Sequence, residues 1–356
     1  MLVRCHGGRR SRGLFAAAWV GKEVLIPISQ NRRHFLTSLS VVGAVGVLGT
    51  GRALADEGPP EVTTVRLRVG PSICVAPRTL AGDLLRAEGF TDVRYIPGLP
   101  IDAVVSGEID FDIQTPTWIV SELDVGKPIT TLAGVHPGCY ELFAHEPIRT
   151  ISDLEGRRVG IQRFGSSEHL LIAIMAAHVG LDPKSDIEWV TRPSAKSVEL
   201  FLEREVDAFL GFPPEPQKMR AHKIGRGILN MTTDKPWSQY FCCMFIGNAD
   251  FVQKYPVATK RVLRALLKTI DICAAEPEWA ARRLVDGAFT ERYDLALKTL
   301  TEVPYDKWRE YDPADSLRFY ALRLHEVGLI KSSPNAILPL ATDWRFLNEL
   351  KRELKI

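Results

Sequence analysis

The stretch Asp153–Val179, DLEGRRVGIQRFGSSEHLLIAIMAAHV, reads as strand, turn and helix in that order. The short run Arg158–Ile161 follows the turn residues Glu155 and Gly156, a pattern that predicts a strand. Apolar side chains then recur at helical spacing, at Leu170, Leu171, Ile174 and Met175. The segment between them, Phe164–Glu168, contains one glycine and two serines. The stretch therefore predicts one βα unit with a small-residue turn.

This turn is also a candidate ligand-binding segment. Ser166 or Ser167 is expected to cap the helix, and Gly165 lets the backbone approach a bound molecule closely. The unpaired N–H groups at a helix start favour a carboxylate, a sulfonate or a similar group rich in acceptors. An ordinary βα turn has the same composition, so these residues alone leave both interpretations open.

The segment Asn31–Ala55 has the features of an export signal. Arg32 and Arg33 precede an apolar run diluted by Gly and Ser, and the segment ends in small residues at Ala53 and Ala55. We interpret it as a signal of the twin-arginine type, cleaved before Asp56, and expect a periplasmic protein. The apolar run is too short for a membrane span. Residues 1–55 are therefore excluded from the fold.

Composition and charge limit the number of domains and the kind of partner. The chain has 356 residues, 46% of them hydrophobic, which is enough for two globular domains. The formal net charge of +2 is misleading, because residues 1–55 contain eight of the 45 basic side chains and one of the 43 acidic ones. The remainder has 37 basic and 42 acidic side chains. This acidic balance argues against a nucleic-acid partner.

Five cysteines remain after the signal: Cys74, Cys139, Cys242, Cys243 and Cys273. Their odd number and irregular spacing argue against a disulfide scaffold, and their apolar neighbours suit buried thiols. One pair is still compatible with an oxidising compartment, and whether Cys139 would join Cys242 or Cys243 stays open. The histidines are scattered singly, without metal-ligand spacing. The sequence therefore predicts no metal and no cofactor.

Strands and helices alternate along the mature chain. The predicted strands of the first part are Val65–Gly70, Val93–Ile96, Ile109–Ile113, Pro128–Ala133 and Cys139–Ala144. Those of the second part are Arg158–Ile161, Ile187–Val190, Val206–Leu210 and Gly227–Asn230. This alternation predicts an α/β protein with two doubly wound parallel sheets, whose ligands lie beyond the carboxyl ends of the strands.

Two lobes follow from this order. We assign residues 56–145 and 236–356 to the first lobe and 146–235 to the second, with chain crossings near Ala144–Pro147 and Thr232–Trp237. Tyr240–Gly247 reads as a long strand that returns the chain to the first lobe. Beyond Asn248 the spacing of apolar residues is helical.

Four motifs together indicate a family. They are VRLRVGPS at Val65–Ser72, SGEIDFDIQTP at Ser106–Pro116, DLEGRRVGI with the following GSSEHLL, and LEREVDAFLGFPPEP at Leu202–Pro216. With these motifs the chain resembles the solute-binding proteins of ABC importers, in the nitrate/taurine/sulfonate and thiamine-pyrimidine-like group. The resemblance implies a type II periplasmic-binding-protein fold, a small-molecule ligand in a cleft between lobes, and closure about a hinge. We also expect a monomer that delivers its solute to an inner-membrane permease with a separate ATPase.

The resemblance places the ligand contacts in loops that follow strands facing the cleft. The expected contacts are Cys74, Arg78, Gln114, Thr115, Trp118, Phe164, Ser166, Ser167, Arg192, Phe212, Glu215 and Tyr240. The four aromatic rings would sandwich a flat ligand, although core packing is the stronger explanation for each of them. The hydroxyls of Thr115, Ser166 and Ser167 would provide hydrogen bonds.

The charge of the ligand stays open among sulfonates, carboxylates and pyrimidine-like compounds. Arg78 and Arg192 would favour an anion, whereas Glu215 would favour a ligand with donors. Substitution of Arg78 or Arg192 by Ala should then weaken an anion, and Glu215→Gln should weaken a donor ligand.

An enzyme is the alternative function, because the resemblance extends to a fungal pyrimidine-precursor synthase and to an aromatic carboxylate decarboxylase. The synthase uses a lysine and a histidine where this chain has Gln114 and Trp118, and its cysteine-rich motif is incomplete at Cys242-Cys243. The sequence therefore predicts binding without catalysis. A ligand-sensing domain for a receptor is a third possibility and differs only in its partner.

Overall fold

The computed structural model describes residues 57–192 and 196–354. The predicted export signal, with Arg32, Arg33 and the cleavage position, lies outside these residues. Among the described helices, none is both long and apolar enough to cross a membrane.

The described residues contain two five-stranded sheets. The strands are β1 (Thr64–Arg68), β2 (Asp92–Ile96), β3 (Phe111–Gln114), β4 (Ile129–Pro137), β5 (Glu141–Ala144), β6 (Arg157–Gly160), β7 (Ile187–Val190), β8 (Ala208–Gly211), β9 (Arg226–Asn230) and β10 (Phe241–Asn248). The first sheet has the order β2-β1-β3-β10-β4 and the second β7-β6-β8-β5-β9. The predicted two-lobed α/β fold is thus confirmed.

The sheets are mixed, whereas the sequence predicted parallel sheets. In the first, β1 pairs in parallel with β2 and β3, but β10 is antiparallel to β3 and β4. In the second, β6 is parallel to β7 and β8, but β5 is antiparallel to β8 and β9. The antiparallel strand of each sheet is the one that arrives from the other lobe, and no crossover helix precedes it to set a parallel direction.

The first crossing lies earlier in the chain than expected. β4 belongs to the first sheet and β5 to the second, so the chain crosses at residues 138–140 and not near Ala144–Pro147. An apolar strand such as β5 carries the same pattern in either sheet, which is why the sequence placed it in the wrong lobe. The return crossing occupies residues 231–240.

The two crossings touch each other. Gly138 has a φ of +67°, and a Cβ atom there would lie 2.6 Å from the Cα of Thr232, so only glycine fits this contact. The backbone N–H of Cys139 donates to the Thr232 hydroxyl at 3.2 Å. Both segments therefore form one hinge region.

The described α-helices are α1 (Ala76–Leu80), α2 (Gly82–Ala87), α3 (Ala103–Ser106), α4 (Pro116–Asp124), α5 (Ser167–His178), α6 (Ser197–Leu202), α7 (Glu215–His222), α8 (Ala249–Lys254), α9 (Pro256–Ala275), α10 (Pro277–Asp286), α11 (Tyr293–Glu302), α12 (Pro313–Glu326), α13 (Pro334–Ala341) and α14 (Arg345–Glu353). Short 3-10 turns lie at Ile73–Val75, Ile151–Leu154, Trp237–Gln239 and Tyr305–Arg309. As expected from the spacing beyond Asn248, the C-terminal third is helical, and α9 packs on α1, α2 and β4 of the first lobe.

Two helices begin at the cleft, each with a hydroxyl cap. The Trp118 N–H donates to the Thr115 hydroxyl at the start of α4, and the His169 N–H donates to the Ser166 hydroxyl at the start of α5, both at 3.4 Å. Pro116 occupies the first position of α4, where its missing N–H costs no hydrogen bond. These caps fix where the two helices start and bring both N-termini to the space between the lobes.

Candidate functional site

A cavity of about 1120 Å³ is lined by residues of both lobes. The first lobe contributes the loop after β1, the end of β3 and part of α4. The second lobe contributes residues 162–164 and 166–168, Thr191 and Phe212, which follow strands β6, β7 and β8. The hinge region adds Tyr140, and Cys243 of β10 completes the lining. The cavity lies where the carboxyl ends of parallel strands were expected to place a ligand.

Eight of the expected ligand contacts line this cavity: Cys74, Arg78, Gln114, Thr115, Phe164, Ser166, Ser167 and Phe212. Their role as contacts stays a prediction, but the structure brings them together from both lobes. Four expected contacts, namely Trp118, Arg192, Glu215 and Tyr240, are not among the residues that line it.

Two of these four are aromatic side chains that pack elsewhere. Trp118 is 0% exposed and belongs to the hydrophobic core, where the apolar side of α4 lies. The Tyr240 ring stacks on Phe319 of α12, with centroids 3.9 Å apart. Core packing, the alternative explanation for both rings, is what the structure shows.

The two charged residues also lie apart from the cavity. Arg192 pairs with Glu205 at 3.2 Å, beside a separate depression on the second lobe. Glu215 begins α7 and accepts the N–H of Phe212 at 3.3 Å. Burial raises the pKa of the Glu215 carboxyl to about 7, and the Phe212 N–H opposes the rise. The side chain is thus part of the wall behind Phe212.

The floor of the cavity in the first lobe is an ion network around Asp112. The carboxylate is fully buried and accepts from Arg68 Nε at 2.9 Å, from Gln114 Nε2 at 2.7 Å and from Arg78. Burial lowers the pKa of the Arg78 guanidinium, and the charge of Asp112 opposes that shift. Two guanidinium groups share one carboxylate, so the floor carries one net positive charge.

Sequence reasoning missed Asp112 and Arg68. A signal was present, because Arg66 and Arg68 alternate on β1 while Asp110 and Asp112 alternate on the predicted neighbouring strand β3. Arg66 pairs with Asp110 at 2.5 Å, as Arg68 pairs with Asp112 one step further along. Charges at matching positions of adjacent strands would have predicted both pairs.

The face of the second lobe is built from a helix start and hydroxyls. Ser166 and Ser167 are both buried, and the Ser167 hydroxyl lies 2.8 Å from that of Thr115 across the cleft. Gly165, with a φ of +77°, makes the turn and donates its N–H to His169 Nδ1 at 3.2 Å. The Phe164 ring is 62% exposed at the rim. As expected for the turn, Ser166 caps α5, and both serines reach the cavity.

Two further contacts join the lobes. The Ile73 N–H of the first lobe donates to the Pro213 carbonyl at 3.3 Å. Gln217 Nε2 of α7 donates to Glu302 of α11 at 2.9 Å, and Arg220 pairs with the same carboxylate. The lobes are therefore in contact along the cleft.

Charges at the rim are mixed. Lys127 and Arg163 are exposed bases, Asp102 is an exposed acid, and Glu122 and Glu168 are half-buried acids. Burial raises the pKa of Glu122, whereas Lys127 and, from the other lobe, Arg163 lower it. The positive floor thus lies beneath a rim without a dominant charge.

A cluster of metal-binding side chain types lies beside this cavity. The donor atoms of Cys74, His136, Cys139 and Cys243 all lie within 4.8 Å of one another, and all four residues are buried. The five cysteines after the signal are free thiols in the structure, although the sulfur atoms of Cys139 and Cys242 are 3.4 Å apart. Sequence spacing does not predict the whole set, because only His136 and Cys139 are close in the chain, while Cys74 and Cys243 come from distant segments.

Comparison with known proteins agrees with this architecture. The family described as NMT1/THI5 like matches residues 92–280. A relative from Brucella abortus (strain 2308) is 25% identical over 232 residues, which are 64% of this chain and 70% of the relative.

Two solved structures share the fold. The periplasmic nitrate-binding protein NrtA from Synechocystis PCC 6803 is similar with a TM-score of 0.68 at 17% identity, covering 83% of this chain and 90% of NrtA. The alkanesulfonate-binding protein SsuA from Xanthomonas axonopodis pv. citri, bound to MOPS, has a TM-score of 0.65 at 17% identity. That match covers 80% of this chain and 99% of SsuA.

Proposed function

The chain belongs to the NMT1/THI5-like family, and from that premise we propose that it captures a small organic anion as the solute-binding component of an ABC importer. The observation that carries the proposal is the cavity of about 1120 Å³ between the lobes, with a positive floor on one side and a helix start on the other. Two-lobed proteins of this kind close on their ligands about a hinge. NrtA and SsuA, which share the fold, bind nitrate and alkanesulfonates.

The anionic head group is expected at the floor. Arg68 lines the cavity with 17% of its side chain exposed, so its guanidinium is available to a ligand while it holds Asp112. The N-termini of α4 and α5 meet at the Thr115–Ser167 contact and add partial positive charge there. A sulfonate or carboxylate offers the acceptors that these donors require.

The rest of the ligand is expected to extend towards the rim. Phe164 and Phe212 line the second-lobe side, and the ring of Tyr140 lies 6.1 Å from that of Phe212. The volume exceeds the range of about 300–1,000 Å³ that is usual for small-molecule pockets. We therefore favour an organic anion with an apolar part over an inorganic ion alone.

Partners and location follow from the same proposal. The protein would act in the periplasm as a monomer and deliver its solute to an inner-membrane permease with a separate ATPase. Replacing Arg32 and Arg33 together by Lys should leave precursor in the cytoplasm, because the paired arginines are the address of the twin-arginine route. Fractionation followed by mass mapping of the mature N-terminus tests this, and unchanged export would contradict it.

The ligand class is tested by thermal shift and calorimetry on the mature protein. The panel contains alkanesulfonates, carboxylates, nitrate and pyrimidines. A true ligand at 100 times its dissociation constant should stabilise the fold by about 2.7 kcal/mol. Binding of pyrimidines but not of anions would overturn the assignment of an anion, and turnover of any panel member would overturn the assignment of a binding protein.

A matched pair of arginines on β1 tests the position of the head group. Arg68→Gln should weaken an anionic ligand roughly 10- to 100-fold, the usual worth of a hydrogen bond to a charged group. Arg66→Gln is the control, because Arg66 holds Asp110 in the same way but does not line the cavity. Equal affinities for the two variants would place the ligand elsewhere.

Catalysis is the alternative, and two contacts argue for binding instead. Gln114, at the position of the synthase lysine, donates its amide to Asp112 at 2.7 Å. Trp118, at the position of the synthase histidine, is buried in the core away from the cavity lining. The pair of reactive groups that the synthase uses is thus replaced by one structural amide and one core ring.

A further inference from the structure

Three segments of the chain bring cysteine and histidine side chains to one point. Cys74 lies in the 3-10 turn after β1, His136 near the end of β4, Cys139 in the first crossing and Cys243 near the start of β10. Their donor atoms lie within 4.8 Å of one another, and no exposed residue belongs to the set. Three thiols and an imidazole around one small volume are a frequent ligand set for a structural zinc ion.

The imidazole of His136 is oriented as a metal ligand would be. Its Nδ1 lies 3.1 Å from the Pro137 carbonyl and donates to it, so Nε2 carries the free lone pair. That Nε2 is buried and has no hydrogen-bond partner among the described residues. Metal-binding histidines characteristically donate the other ring N–H to a carbonyl or carboxylate. An unpaired buried nitrogen is otherwise costly.

The backbone at Cys139 is also unusual. Its φ of +104° lies in a region that favours glycine, and the preceding residue is Gly138. A side chain at such a position is kept where surrounding structure or function requires it. Here it directs a thiol to the cluster.

Neighbouring residues hold the cluster in place. The Tyr305 hydroxyl donates to the Cys74 carbonyl at 2.8 Å, and the Tyr305 ring packs edge-on against His136 with centroids 5.3 Å apart. The Ser72 hydroxyl lies 3.0 Å from the sulfur of Cys74. Such outer contacts orient metal ligands.

We propose that Cys74, His136, Cys139 and Cys243 bind one Zn²⁺ ion in a tetrahedral site. Thiolates bound to zinc at about 2.3 Å lie about 3.8 Å apart, so the four donors need to move inward only slightly. Thiolate and imidazole ligands disfavour Mg²⁺ and Ca²⁺, which take oxygen ligands. Four protein ligands complete the coordination, so the ion is structural.

The ion would link the cleft loop of the first lobe to the hinge region. Cys139 belongs to the first crossing, Cys243 follows the second, and Cys74 is in the cleft loop of the first lobe. Cys74 and Cys243 also line the cavity, so the ion would hold part of its wall. The site does not depend on the proposed solute, and either one can fail without the other.

The test uses the exported protein, reduced and freed of metal. Titration with Zn²⁺ against a chromophoric chelator should give one ion per chain. Cys74→Ser and Cys243→Ser should each weaken binding by at least about 100-fold, more than the loss of an outer contact. Two controls should keep the wild-type affinity and stoichiometry: Cys242→Ser, the sequence neighbour outside the set, and Cys273→Ser, a buried thiol in α9.

Cobalt provides a second readout on the unmodified chain, in case a variant fails to fold. Co²⁺ should give the intense visible absorption of a tetrahedral thiolate site, and Zn²⁺ should abolish it. The proposal is overturned by less than one Zn²⁺ per reduced chain, by a weak octahedral cobalt spectrum, or by equal losses in the Cys242→Ser and Cys243→Ser variants. A Cys139–Cys242 disulfide without metal in protein taken directly from cells would also overturn it.

Discussion

The two lobes present different kinds of surface to the same cavity. The first lobe presents a buried network in which Arg68, Arg78 and Gln114 converge on Asp112. The second presents the capped start of α5, an exposed Phe164 and, behind Phe212, the carboxyl of Glu215. A network of buried charges is fixed when the lobe folds, so the first lobe is the preorganised floor of the cavity. The second lobe offers a capped helix start, hydroxyls and an exposed ring.

The largest expected effect is on the stability of the first lobe, at Asp112. Asp112→Asn leaves Arg78 buried without its counter-charge, and we expect a loss of about 3–5 kcal/mol in the free energy of unfolding. Denaturation by urea, followed by circular dichroism, measures this loss.

The control for Asp112 is Asp83, an exposed carboxylate that pairs with Arg86 and Arg283. Asp83→Asn should change the stability by no more than about 0.5 kcal/mol, as is usual for surface ion pairs. If Asp112→Asn and Asp83→Asn lowered the free energy of unfolding by equally small amounts, the network around Asp112 would not be rigid.

The second lobe differs by carrying a carboxyl that titrates near neutrality. The folded protein holds the Glu215 proton up to a pKa of about 7, while the unfolded chain releases it near 4.5. Between these values the folded state binds more protons, so the stability falls as the pH rises through that window. Glu215→Gln removes this dependence and should be more stable than wild type at pH 8 by about 1–2 kcal/mol, since one pKa unit is worth about 1.4 kcal/mol and the group is half-buried.

Unfolding midpoints of both proteins at pH 5 and pH 8 check this prediction. Glu203→Gln, an exposed position of the same lobe, controls for the loss of a carboxylate in general. A difference between Glu215→Gln and wild type that stays constant with pH would contradict the raised pKa. Solute affinity should stay within about 2-fold in Glu215→Gln, because this side chain does not line the cavity.

The smallest expected effect is at the contact between the two surfaces. Thr115→Val and Ser167→Ala each remove one partner of the 2.8 Å hydroxyl contact. Each change also lowers the stability for other reasons, since Thr115 caps α4. A double-mutant cycle separates these effects from the interaction energy of the pair. We expect a coupling of about 0.5–1.5 kcal/mol in the free energy of unfolding. Purely additive effects without solute, with coupling once solute is bound, would show that the lobes meet only around the ligand.

Much of the cavity lining was predictable from local patterns. The turn before α5 carries its own signals in Gly165, Ser166 and Ser167, and the structure places all three at the start of that helix. The loops that face the cleft follow from strand order, because the carboxyl ends of parallel strands lie at one edge. Eight of the expected contacts therefore line the cavity.

The predictions that the structure did not bear out depend on contacts between distant segments. Nothing local distinguishes Trp118 in the core from Phe164 at the rim. The stacking of Tyr240 on Phe319 joins the extended residue before β10 to the distant helix α12. The sheet that receives β5 is decided by its pairing with β8 and β9. Spacing rules do not predict the set Cys74, His136, Cys139 and Cys243. Only His136 and Cys139 are close in sequence, and the first and last members are 169 residues apart.

In the first sheet, the order of the strands differs from the order in which they are synthesised. β10 lies between β3 and β4, yet it is synthesised after the whole second lobe. During synthesis, the facing edges of β3 and β4 therefore stay unpaired until residue 248 has left the ribosome. Unpaired strand edges promote aggregation. The second sheet needs only residues 141–230, so the middle of the gene encodes the unit that can finish first. Nascent chains truncated near residue 235 should thus hold a protease-resistant second lobe beside an unfinished, chaperone-dependent first one.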